Sequence, residues 1–263
     1  MKQIYKYLIL IIGLILIIVG GIIFYFSNRS LEDLEELDIN SEQVQTLYQY
    51  IDHGEDNSQL GVYLLTNDTV NSDNISPSYK FLVALKNLEQ KEIKIEEDTC
   101  SVSISKTAID QSMEQIFNDA TYDTNQEYSS FLNTDSSCGS MAVFTYDASL
   151  KQWTGQLYAL GGMDGFQSPY QAKLYAAYKD NKNGYILLEE KLLFLEENCK
   201  EETCDYTIYK DYEHTDKIGE EQDVSTSTDY DFFSKYLNEA STVTYTFKLE
   251  GNQYYFYSSK IDK

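Results

Sequence analysis

TVTYTFKLEGNQYYFYSS, residues Thr242 to Ser259, is the stretch that decides the fold. Val243, Tyr245, Phe247 and Leu249 fall on alternate positions, as a half-buried strand requires. Gly251-Asn252 then breaks the run and QYYFYSS returns, which is the signature of a two-residue hairpin.

The same period of two extends upstream. Ala142, Phe144 and Tyr146 alternate with Met141, Val143 and Thr145, and Trp153, Gly155, Leu157 and Ala159 alternate with Gln152, Thr154, Gln156 and Tyr158. Tyr170, Ala172, Leu174, Ala176 and Tyr178 share one predicted face. After the turn DNKNG, Ile186, Leu188, Leu192 and Phe194 share another, with Glu190 interrupting it. DYTIYK adds a shorter strand, residues 211–227 read as an acidic, Ser/Thr-rich exposed loop, and Tyr230, Phe233, Tyr236 and Leu237 suggest a short helix.

The first half follows a helical period instead. Asn40 is a candidate cap with Gln43 reaching back to it, ahead of Val44, Leu47, Tyr48 and Ile51 on one face. Ser76-Pro77 starts a second helix with Phe81, Leu82, Leu85 and Leu88 buried. Ser105 starts a third with Ile109, Met113, Ile116 and Phe117 buried. Helices first and consecutive antiparallel strands afterwards predict an α+β fold. In it the helices pack on one curved antiparallel sheet of cystatin-like or NTF2-like form.

Ahead of that domain, the 22 residues from Tyr7 to Asn28 carry no charge, and LILIIGLILIIVGGIIFYF is almost wholly apolar. As a helix they would measure about 33 Å, enough to cross a bilayer core of roughly 30 Å. A cleaved signal peptide would have a shorter apolar core and a small-x-small site, whereas bulky residues continue past Gly20 and Gly21. Lys2 and Lys6 against Arg29 place the amino terminus in the cytoplasm. The expected organisation is therefore a cytoplasmic tail and transmembrane anchor over 1–29, an acidic linker over 30–39, and an extracytoplasmic domain over 40–263. That makes a single-pass protein of the cell membrane, with its membrane contact through one amino-terminal helix.

Charge narrows the partners. The chain of 263 residues has 20 Lys and Arg against 43 Asp and Glu, a net charge of −23. Arg29 is the only arginine, so residues 30–263 have no guanidinium fork for phosphate. Nucleic acid is excluded as a partner because its binding needs clustered cations to displace counterions.

Cys100, Cys138, Cys199 and Cys204 lie on the oxidising side of the expected membrane and read as structural disulfides. Of the three pairings that four cysteines allow, CKEETC closes locally, leaving Cys100 for Cys138. His53 and His214 are the only histidines and there is no CxxC, so neither a metal nor a cofactor is expected. KDNKNGYILLEE, Lys179 to Glu190, mimics a calcium loop, but Lys179 stands where its first carboxylate belongs and the flanks alternate like strands.

No GxSxG elbow or phosphate loop occurs, and Asn118 and Asn67 read as ordinary surface. Candidate ligand contacts are therefore aromatic or on loops. Asp164 and Phe166 lie in GGMDGF, Trp153 in a strand, and Tyr255 and Tyr257 in the terminal cluster of a chain with 24 tyrosines. These features point to a non-enzymatic binding or interaction module of the bacterial cell envelope that binds another protein or a small ligand, with a protein partner in the envelope as one expectation. Two alternatives stand beside it: an envelope hydrolase using paired carboxylates, and a scaffold subunit of a membrane-spanning assembly.

TVTYTFKLEGNQYYFYSSKI (Thr242–Ile261) and ISKTAIDQSMEQIF (Ile104–Phe117) are similar to segments of uncharacterised membrane-anchored extracytoplasmic proteins of Gram-positive bacteria. The resemblance implies an amino-terminal anchor or lipoprotein signal and carries over no functional residues. In architecture alone, one amino-terminal helix followed by an NTF2-like outer domain also resembles conjugation-channel scaffold subunits.

Overall fold

The computed structural model describes residues 34–51, 63–65, 67–132, 136–159, 170–200, 202–225 and 230–262. The chain forms two compact units, Met1–Glu35 and Glu36–Lys263, and nearly all the described residues belong to the second.

In chain order the elements are β1 (Glu35–Glu36), α1 (Glu42–Ile51), β2 (Thr69–Asn71), α2 (Pro77–Lys86), β3 (Ile93–Glu96), β4 (Ser101–Ser105) and α3 (Lys106–Phe117). There follow β5 (Tyr128–Phe131), β6 (Met141–Asp147), β7 (Gln152–Tyr158), β8 (Tyr170–Asp180), β9 (Tyr185–Lys200) and β10 (Thr203–Tyr209). The last four are β11 (Lys217–Ser225), α4 (Phe233–Tyr236), β12 (Ser241–Glu250) and β13 (Gln253–Asp262).

These strands form two antiparallel sheets, and the expected single sheet bearing helices is corrected. Of the described residues 47% are strand and 23% helix. The smaller sheet runs β3-β4-β7-β6-β5. The larger contains β8-β9-β12-β13-β2, with β10 pairing the far end of β9 and β11 pairing β10. The transmembrane helix expected over Tyr7–Asn28 lies outside the described residues. Among those described, no helix is long and apolar enough to cross a membrane.

Two sheets give two main cores, and the helices serve both. Val44, Leu47 and Ile51 of α1 pack with Ile186, Leu188 and Phe247 of the large sheet. Ile109 and Met113 of α3 bury against Trp153 and Phe144 of the small sheet, while Ile116 and Phe117 one turn later join the large-sheet core. A third cluster forms where Leu193 and Ile208 meet Phe233 and Tyr236 of α4.

Local signals explain the boundaries. Ser76 accepts the Tyr79 N–H at 3.2 Å and Ser105 accepts the Ala108 N–H at 3.1 Å, each satisfying an orphan donor of a helix start. At α1 the cap is Ser41, whose Oγ accepts the Val44 N–H at 3.4 Å, one residue later than the expected Asn40; Gln45, not Gln43, reaches back, to the Ile39 carbonyl at 2.7 Å. The Gly251-Asn252 hairpin is as expected: Glu250 pairs with Gln253, and Gly251 has φ +64°. Positive φ at that first central residue is what a type II′ turn demands.

Two strand expectations change. β11 replaces most of the loop predicted for 211–227. Along β8 the register slips between Leu174 and Ala176, so the bulge at Tyr175 breaks the predicted single face: Ala172 is exposed while Ala176 and Ala177 are both buried.

Candidate functional site

Helix α1, the end of α3 and the tip of the β12–β13 hairpin border an open cleft of about 780 Å³. This lies within the range of small-ligand sites. α1 contributes Glu42, Gln43, Thr46 and Tyr50; α3 and the residues after it contribute Gln111, Glu114, Gln115, Asn118 and Asp119; the hairpin contributes Asn252, Gln253, Tyr254 and Tyr255. The walls are thus carboxamides, tyrosines and carboxylates, and among the described lining residues there is no Lys, Arg or His.

Hydrogen bonds fix the three walls to one another. Gln115 Nε2 donates to Tyr50 Oη at 2.7 Å, joining α3 to α1. Gln253 Nε2 donates to the Gln115 carbonyl at 2.8 Å, and Asn118 Nδ2 donates to Glu250 Oε2 at 2.9 Å, joining α3 to the hairpin. Asn118 ends α3 in the left-handed region, at φ 52°, a conformation Asn tolerates better than most side chains. Burial raises the Tyr50 hydroxyl above its ordinary pKa against the opposing hydrogen bond from Gln115, so it stays a neutral donor and acceptor.

Asp119 sits at the cleft wall but its charge is committed. Lys80 Nζ lies 2.7 Å from Asp119 Oδ2, and that lysine side chain is only 7% exposed. Burial alone would raise the Asp119 carboxyl, but the hydrogen bonds from Lys80 and Thr121 and the Lys80 charge outweigh it and hold it below the usual carboxylate range. A general acid needs the opposite shift.

The structure scatters the sequence-predicted contacts. Tyr255 borders the cleft, although its pairing with Lys248 sets its side chain on the face opposite Tyr245 and Phe247. Tyr257 occupies a bulge of β13, 43% exposed, with its ring 5.8 Å from that of Tyr185. Trp153 is wholly buried in the small-sheet core, 4.7 Å from the Phe81 ring and 5.3 Å from the Tyr128 ring, and so belongs to packing. Asp164 and Phe166 lie outside the described residues. Asn118, read from sequence as surface, is a wall of the cleft.

The four cysteines form Cys100–Cys138 and Cys199–Cys204, as the spacing predicted. Glu197 lies beside the second pair, but both sulfurs are committed to the disulfide, so the trio has no thiolate for a metal. The calcium-loop lookalike is a hairpin turn, in which Asp180 accepts the N–H groups of Lys182 at 3.1 Å and Asn183 at 2.9 Å.

No protein-family model, curated protein or solved structure matches the chain.

Proposed function

We propose that this is a membrane-anchored extracytoplasmic module of the cell envelope whose role is binding, and that its ligand enters the cleft between α1, α3 and the β12–β13 hairpin. The cleft carries this reading: three separate elements converge on it and line it with carboxamides, tyrosines and carboxylates, and hydrogen bonds hold those elements to one another. Such groups orient a polar ligand, and Lys80 holds the Asp119 carboxylate at the cleft wall in its charged form. The two disulfides support an oxidising compartment. The uncharged run from Tyr7 to Asn28, with Lys2 and Lys6 before it, supports an anchor that leaves the large unit outside.

The test of location is a Gln111→Cys variant of the full chain, treated in intact cells with a membrane-impermeant maleimide; the cleft is tested by the cross-linking described in the Discussion. Labelling before lysis is the expected result. Labelling only after lysis would contradict the reading.

A further inference from the structure

Two smaller hollows follow the cleft, the first sharing a wall with it and the second sharing walls with the first. Gln111 belongs both to the cleft and to a second hollow of about 250 Å³. Lys94, Ser103 and Gln152 belong both to that hollow and to a third of about 500 Å³ on the open face of the small sheet. Ser101, Ser103 and Thr154, which line the third hollow, are short side chains on the open face of the sheet.

We infer that the ligand is a linear, uncharged polysaccharide that starts in the cleft and continues across the second and third hollows. This rests on the reading of the cleft as a binding site and names its ligand class.

Three observations select that chemistry. Carboxamides and hydroxyls along the path both donate and accept, matching the vicinal hydroxyl and acetamido groups of a sugar chain. The cleft presents Glu42 and Glu114 without a lining cation, which repels polyanions, while Lys91, Glu92, Lys94 and Glu96 alternate in sign further on. Tyr50 and Tyr254 line the cleft, and a tyrosine ring is a rigid, largely apolar surface of the kind that sugar C–H groups pack against.

The test is calorimetric titration of the detergent-solubilised full chain with β-1,4-linked N-acetylglucosamine oligomers of two and six sugars. The expected result is at least roughly tenfold tighter binding of the hexamer, about 1.4 kcal/mol. Gln152→Ala should abolish that gain and leave the dimer unaffected; Gln43→Ala should weaken both. Equal affinity for the two lengths would overturn the inference while leaving the cleft as a site. Tighter binding of a hyaluronan hexasaccharide, or of a Gly/Ser hexapeptide, would overturn the ligand class, again with the cleft intact. Binding of none of these probes would overturn the inference, and the cleft itself then stands or falls on cross-linking, which requires no knowledge of the ligand.

Discussion

Tyr48 of α1 and Glu190 of β9, 142 residues apart, share a hydrogen bond that latches the helix to the large sheet. Tyr245 of β12 donates to the other carboxylate oxygen at 2.7 Å, and Glu190 and Tyr245 are both wholly buried. Burial drives the Tyr245 hydroxyl well above its ordinary pKa, and the Glu190 charge and hydrogen bond add to the rise, so it remains a donor. The carboxylate that interrupts the apolar face of β9 is thus the residue that seats one wall of the cleft.

Glu190→Ala should destabilise the chain by about 2–4 kcal/mol, because it strands a buried hydroxyl and opens a cavity. Tyr48→Phe should cost about 1 kcal/mol. Urea unfolding checks both; a loss below about 1 kcal/mol for Glu190→Ala would contradict the latch.

The two disulfides should differ in worth. Cys100–Cys138 closes a separation of 38 residues and Cys199–Cys204 one of 5. Loop entropy assigns them about 4 and about 2 kcal/mol, respectively. Paired Cys→Ala variants, compared by urea midpoint, should show the larger loss for the first pair.

Gly219→Ala should cost about 1–3 kcal/mol, since a Cβ there would overlap the Tyr236 ring that covers β11. The same change should loosen the 2.7 Å bond from Tyr236 Oη to Glu221. Gly251→Ala has open space, with nothing within 4 Å, and should cost only the backbone strain of positive φ, about 1–2 kcal/mol. Thermal unfolding of the two variants, with ring-current shifts at Tyr236, separates clash from strain.

Stability should fall at both ends of the pH scale for identifiable reasons. Burial and the hydrogen bond to Asp110 push Tyr122 up to about 12, with Lys106 opposing. An unfolded tyrosine ionises near 10, so this contribution is complete below pH 10 and disappears between there and about 12. At Asp211, hydrogen bonds from Thr215 and from the Asp216 N–H outweigh burial and lower the pKa. That contribution is present above the unfolded value and lost as pH falls through the folded one. Tyr122→Phe should flatten the alkaline limb of the urea midpoint and Asp211→Asn the acid limb.

What the sequence shows depends on how local the determinant is. The Thr242–Ser259 hairpin is legible because alternation and turn chemistry lie within one stretch. The small sheet is legible only in β6 and β7, whose alternation shows; β3 and β5 are four residues each, and β4 finds β7 only across helix α3. β11 carries no alternation because its apolar cover, Tyr236, comes from α4. The Tyr175 bulge reverses the face of β8 without any mark in composition. In the cleft, only Tyr255 stands out beforehand. Gln115, Asn118 and Gln253 acquire meaning when the end of α3 meets a hairpin tip more than a hundred residues away.

The most direct test of the cleft as the binding site is photo-cross-linking in intact cells, with benzoylphenylalanine placed singly at Thr46, at Glu114, or at the remote, exposed Tyr175. The account predicts mass-shifted adducts from Thr46 and Glu114 and none from Tyr175. Adducts confined to Tyr175, with both cleft positions clean, would contradict it.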